Sequence, residues 1–184
     1  MKVSVLFLAG MVLGLVGCSS VRVSRDYDTA YDFSTLKTFA WKHAEQPSTG
    51  NPRLDNDLID ERVRAAAEAE LAARGFRRAE GAEADFLLAY FIDFKQRISG
   101  STVSFGVGAS NYGRYGGVGY NTSVEDYEEG YLTIDVIDPA ADKNIWRGVG
   151  RRTSYETTDP AKITKKVNAT VAAILKNFPP KSKR

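Results

Sequence analysis

With 184 residues and 25 Lys and Arg against 23 Asp and Glu, the chain suits one domain and lacks the basic excess that a nucleic-acid partner demands. A single cysteine rules out an internal disulfide. These limits leave a mixed globular body, and the chain order supplies its organisation.

The N-terminus opens with Lys2, continues as an uncharged apolar run from Val3 to Val16, and closes on Leu15-Val16-Gly17-Cys18. Such a charged start, apolar run and small-residue end reads as a cleaved signal over residues 1–17. Fourteen helical residues at ~1.5 Å each cover roughly 21 Å, short of the ~30 Å hydrocarbon core of a bilayer. A retained transmembrane helix is therefore not expected. The closing box resembles that of a bacterial lipoprotein signal. That resemblance implies cleavage between Gly17 and Cys18, with Cys18 becoming the mature N-terminus and carrying a diacylglyceryl thioether and an N-acyl chain. No cofactor beyond that covalent lipid is expected. Ser19 stands where inner-membrane retention usually shows Asp, so the outer membrane, facing the periplasm, is the expected address. Lys2 leaves with the signal, which brings the mature chain still closer to neutral.

Residues 18–24 read as an acylated tether running directly into an alternating strand pattern at Val21 and Val23. A second extended segment, Leu36 to Trp41, places Phe39 and Trp41 on one side. From Asp57 to Arg74 the pattern turns helical, with Ile59, Val63, Ala66, Ala67 and Leu71 on one stripe, Asp57 as the cap and Gly75 at the left-handed end position. Asp85 to Phe94 is apolar on both alternating faces, as in a central strand. Leu132, Ile134 and Val136 alternate with polar residues, and the turn from Asp138-Pro139 to Asn144 returns the chain into Ile145 to Thr153 as a hairpin. The last element opens with Asp159-Pro160, an N-cap followed by proline, and continues with Ile163, Val167, Val171, Ile174 and Phe178 on one face until Pro179-Pro180 stops it.

This β-β-α-β-β-β-α order predicts the α+β class: a mixed or antiparallel sheet of about four to five strands with two helices packed on one face. Residues 25–180 form that single domain, and residues 181–184 a basic tail, read as a solvated end with contact to anionic lipid or cell-wall polymer as the alternative. The order is similar to that of small outer-membrane lipoproteins of the lipopolysaccharide-transport accessory type, a fold-level analogy only.

Four stretches carry a closer resemblance: Asp26-Tyr27-Asp28, the run from Asp32-Phe33-Ser34 to Phe39-Ala40-Trp41, Trp146-Arg147-Gly148, and Asn177-Phe178-Pro179-Pro180. Together they resemble the bacterial envelope lipoprotein family called domain of unknown function 4136, over essentially the whole mature chain. The resemblance implies an envelope lipoprotein with a compact mixed domain and supplies no catalytic residues. Independently of any family, Asp28 and Asp32 suit turns, and Phe33, Phe39 and Trp41 suit the core. Arg147 and Arg151 share a strand face, where acidic cross-strand partners are expected.

The tract 99–121 is glycine-rich, interleaved with Phe105, Tyr112, Tyr115 and Tyr120. It reads as a loop, or alternatively as a contact surface in which tyrosine supplies rigid area and glycine adaptability. No phosphate-cradling motif is present. His43 is the sole histidine, and no nucleophile elbow or other catalytic constellation marks an enzyme. Asp55 to Glu61 begins like a calcium loop but carries Asp60 where glycine is required, so no metal site is expected; acids favoured at a helix start explain the run. Glu125, Asp126, Glu128 and Glu129 read as a solvated strand entry. The leading expectation is a non-catalytic envelope accessory that binds or supports a partner protein. The alternative is a small-ligand or peptidoglycan-binding module, with a hydrolase third.

Overall fold

The computed structural model describes residues 21–79, 83–99, 125–154 and 158–181. Nine elements follow one another in the described chain: β1 (Arg22–Tyr27), a 3-10 turn (Phe33–Thr35), β2 (Thr38–Trp41), α1 (Asp57–Ala72), β3 (Arg77–Arg78), β4 (Phe86–Ser99), β5 (Glu125–Asp138), β6 (Lys143–Ser154) and α2 (Pro160–Leu175). The strands form one mixed sheet in the order β1-β6-β5-β4-β2-β3. The pairs β4–β5, β5–β6 and β6–β1 are antiparallel, and β2 lies parallel to both β4 and β3. The class is α+β as expected, with six strands rather than four or five. The added strand, β3, is two residues long and both are exposed arginines, so no hydrophobic alternation announced it.

Local chemistry explains the element ends. Asn56, not Asp57, caps α1: its side-chain oxygen accepts from the Leu58 amide at 2.9 Å, while Asp57 and Asp60 occupy the first turn. α1 ends at Ala72 with Ala73 as its cap, two residues before the expected end, and Gly75 takes φ +89 just beyond. Asp159 caps α2 with Pro160 at its first position, as read from the sequence. The turn residues of the motif run also behave as expected. The Asp28 carboxylate accepts from the Ala30 amide and Asp32 from the Ser34 amide, each at 3.0 Å. Asp85 joins β2 to the start of β4 by accepting from the Lys37 and Thr38 amides at 2.8 Å each, and these bonds hold its carboxyl below the usual range.

The core lies between the helices and one face of the sheet. Val63, Ala67 and Leu71 of α1 and Val171, Ile174 and Leu175 of α2 share a buried cluster with Leu88, Tyr90, Ile134, Val136 and Trp146 of the strands. At the β1 C-terminal end an aromatic knot closes the body. The Phe178 ring meets Phe76, Phe86, Trp146 and Phe33 at centroid distances of 5.6, 5.5, 5.3 and 6.3 Å. Arg74 braces this end by donating to the Leu175 and Phe178 carbonyls. The D-F-S, W-R-G and N-F-P-P motifs thus converge on packing: Phe33, Phe39, Trp146 and Phe178 are all buried.

Opposite the helices, the other sheet face carries the Arg147–Asp135 pair, with both bonds at 2.6 Å, and Arg151 at 3.7 Å from Glu129. Both arginines have the acidic cross-strand partners expected for them. Asp135 is only 2% exposed, yet Arg147 remains half exposed, so water screens one side of the pair.

Candidate functional site

The two helical stripes are not covered along their whole length. Val171, Ile174 and Leu71 are fully buried, whereas Ile59, Ile163 and Val167, one to three turns nearer the helix starts, remain half-exposed. Glycines on the inner sheet face determine where the covering stops. At Gly148 an added Cβ would lie 2.4 Å from the Trp146 ring and 2.6 Å from Ile174, and at Gly150 it would lie 2.9 Å from Ile174 and 3.0 Å from Thr170. The missing side chains let α2 close onto β6 at that level. Farther along, the sheet presents Gly130 beneath the Phe94 ring, where a Cβ would stand 3.1 Å from the ring edge. Helices and sheet part there, leaving a groove.

The groove has a volume of about 470 Å3, within the ~300–1,000 Å3 typical of small-molecule sites. Its floor is Ile92 and Phe94 of β4, Leu132 of β5 and Gly150 of β6; its walls are Ile59 and Val63 of α1 and Ile163 and Val167 of α2. Cations stand around this apolar channel: Arg53, Arg152 and Lys166 all line it. Arg53 is held in place by two bonds to Glu128 at 3.0 and 3.1 Å and by the Phe94 ring, whose centroid lies 4.8 Å from its guanidinium. Arg152 donates to the Lys166 carbonyl at 3.5 Å and pairs with no carboxylate among the described residues.

The loop that carries Arg53 is built around Asp55. Its carboxylate accepts from the Thr49 amide at 2.7 Å, the Gly50 amide at 2.9 Å, the Ser48 hydroxyl at 2.7 Å and the Thr49 hydroxyl at 2.8 Å. Led by the Thr49 amide, these bonds hold the Asp55 carboxyl down to about 2. This is the residue that opens the run resembling a calcium loop; it organises a turn with protein donors. Beside it, the Tyr90 hydroxyl donates to Asp60 at 2.7 Å, and burial together with that bond pushes its pKa up. Asp60 also accepts from Arg64 Nε at 2.8 Å, and Arg64 lies 4.6 Å over the Trp41 ring. The chain of contacts rigidifies the α1 wall and contains no activated nucleophile.

Among the described residues no group of three or more His, Cys, Asp or Glu side chains could hold a metal ion. His43 lies exposed in the loop after β2. The expected acidic strand entry is instead part of β5: Glu128 pairs with Arg53, and Glu129 is buried, accepting from the Tyr131 hydroxyl at 2.7 Å. Gly17 and Cys18, the contact-loop residues Phe105, Tyr112, Tyr115 and Tyr120, and residues 182–184 of the basic tail lie outside the described residues. Sequence reasoning placed Ile59, Val63, Ile163 and Val167 correctly on helical stripes and did not single out Arg53, Arg152 or Lys166. The available signal was glycine: Gly148, Gly150 and Gly130 fall on inward-facing strand positions opposite those stripes.

A family model, domain of unknown function DUF4136, matches residues 23–180. No curated protein matches the sequence. Among solved structures, a PDZ domain protein from Parabacteroides distasonis is similar with a TM-score of 0.55 at 14% identity, covering 89% of this chain and 37% of that one. This chain therefore spans little more than a third of that protein, and the likeness concerns the fold alone. The PelC dodecamer from Paraburkholderia phytofirmans aligns with a TM-score of 0.42 at 14% identity over 84% of this chain and 94% of its own. A minor lipoprotein from Acinetobacter baumannii aligns with a TM-score of 0.36 at 10% identity, over 78% and 89% of the two chains.

Proposed function

The chain belongs to the family of domain of unknown function DUF4136, and since that name states no activity, we propose a role from its own residues: a lipid-anchored, periplasm-facing envelope lipoprotein that works by binding rather than catalysis. The groove carries the binding half of this reading. Its apolar floor and walls with a few cations at the rim match the make-up of small-molecule sites, in which apolar area supplies affinity and sparse polar groups fix orientation.

Anchoring rests on the apolar run to Val16 and the Leu-Val-Gly-Cys box ending at Cys18. No helix of the described residues is long and apolar enough to cross a membrane. Two or three acyl chains hold a protein durably where one does so only marginally. The Ser19 position favours the outer membrane. In this reading the accessory role toward a partner protein or the cell wall belongs to surfaces beyond the groove, the tyrosine positions Tyr112, Tyr115 and Tyr120 among them.

Fractionation of cells tests the anchor. Wild-type protein should sediment with outer membranes and Cys18→Ala should appear in the soluble fraction; equal distribution of the two would refute lipid attachment.

A further inference from the structure

The groove and the point where the tether enters the domain lie at the same end of the sheet. Arg22, the first residue of β1, pairs with Arg151, and Val23 pairs with Gly150, at the level of the groove-lining Gly150 and Arg152. Cys18 precedes Arg22 by four residues, and at ~3.6 Å per residue chain length bounds their separation to about 14 Å. The opposite end of the domain, the β5–β6 turn after Asp138, begins eight residues along β6 from Arg151, a further ~26 Å at about 3.3 Å per residue. If Cys18 carries lipid, as the reading above holds, the tether keeps Arg22, and with it the groove end of the sheet, within about 14 Å of the anchoring residue.

Charge points the same way. α2 carries Lys162, Lys165 and Lys166 and no acidic residue, β1 adds Arg22 and Arg25, and Arg152 has no carboxylate partner among the described residues. Such a basic end is attracted to an anionic surface. Of the acids nearby, Glu128 is committed to Arg53, Glu129 to Tyr131 and Arg151, and Asp159 to the α2 cap and Lys162, while Asp57 and Glu61 at the start of α1 offset part of this positive charge.

We infer that the groove takes one acyl chain of an anionic phospholipid from the bilayer to which the domain is tied, with the chain between Ile92, Ile163 and Val167 and the phosphate against Arg152 and Lys166. An alkyl chain suits a channel walled by Ile59, Val63, Ile163 and Val167. The cations at its mouth supply charge-assisted bonds to a phosphate and none to an alcohol of equal chain length.

The test uses the full mature chain, residues 18–184, carrying Cys18→Ser so that no lipid of its own competes. Binding of cis-parinaric acid is followed by its fluorescence and displaced with dodecyl phosphate or dodecanol. One saturable site per chain is expected, with dodecyl phosphate about tenfold the better competitor, the factor expected of one hydrogen bond to a charged group. Ile163→Trp should lower affinity at least tenfold, because the indole fills the channel, and Arg152→Gln should weaken dodecyl phosphate about tenfold and dodecanol far less. If Ile163→Trp fails to fold, photocrosslinking of a diazirine-bearing dodecyl phosphate to the Cys18→Ser chain decides, with adducts expected in peptides containing Ile92–Phe94 and Ile163–Thr170. No saturable binding, equal competition by the alcohol, or adducts elsewhere would overturn the inference. So would binding that appears only when residues 100–120 are deleted, since the groove would then hold this chain's own segment. The displacement assay reads the groove without the anchor, whereas fractionation of the wild type reads the anchor without the groove. Binding by a chain that proves unlipidated in cells would overturn the bilayer as source.

Discussion

Gly148 offers the sharpest test of why the groove ends where it does. In Gly148→Ala the new methyl would stand 2.4 Å from Trp146 Cη2 and 2.6 Å from Ile174 Cγ2, both on side chains no more than 1% exposed. Neither neighbour has room to turn away, so α2 must lift from β6. Overpacking of a close-packed core costs about 1–3 kcal/mol, and contacts this short belong at the upper limit, ~3 kcal/mol. For a domain of this size each kcal/mol moves Tm by roughly 2–4 °C, giving a loss of about 6–12 °C. Gly150→Ala meets Ile174 and Thr170 only at 2.9–3.0 Å, at the flexible Cδ1 end of Ile174 among other atoms. It should cost ~1 kcal/mol. Urea unfolding followed by tryptophan fluorescence, with Trp146 itself a reporter, measures both. A Gly148→Ala variant within ~0.5 kcal/mol of the wild type, or Gly150→Ala as the more damaging change, would refute the close-approach argument.

Two further outcomes follow from the electrostatics. Arg147→Ala should cost about 2 kcal/mol, less than the ~3–5 kcal/mol of breaking a fully buried pair, because Arg147 is half exposed although Asp135 keeps only Asn144, at 3.2 Å, as a side-chain partner; a double-mutant cycle with Asp135→Ala showing coupling under ~0.5 kcal/mol would contradict this. Because Asp55 has a folded pKa near 2, below its ordinary 3.8, its contribution to holding the Arg53 loop is complete above the ordinary value and is lost as pH falls through about 2. The Thr49 and Gly50 amide resonances should titrate with a midpoint near 2, and a midpoint near 4 would mean that the carboxylate cage is not formed.

The parts of the fold readable in the sequence were those set by periodicity and capping. The α2 stripe from Ile163 to Ile174, its Asp159-Pro160 start and the alternation at Leu132, Ile134 and Val136 stand as read, whereas the helix ends at Leu175 and Phe178, expected on its face, packs into the core from beyond the helix end. β3 escaped because two exposed arginines pair with β2 only through tertiary context. β5 begins earlier than expected because Glu128 and Glu129, polar by type, are held by partners distant or adjacent in the chain, Arg53 and Tyr131. The α1 cap shifted by one residue since Asn56 and Asp57 are equally capable cap types, and backbone geometry decided between them. The groove was legible only in negative. Apolar stripes announce helices that pack, while the inward glycines that leave one end uncovered become visible once strand register is known. Its cations come from three separate elements, and nothing in their spacing brings Arg53, Arg152 and Lys166 together.

The account depends most on a lipid at Cys18. Mass spectrometry of the N-terminal peptide from membrane fractions should find a chain beginning at Cys18 with the added mass of a diacylglyceryl group and an N-acyl chain. A peptide that retains residues 1–17, or one that begins at Cys18 with an unmodified thiol, would contradict it.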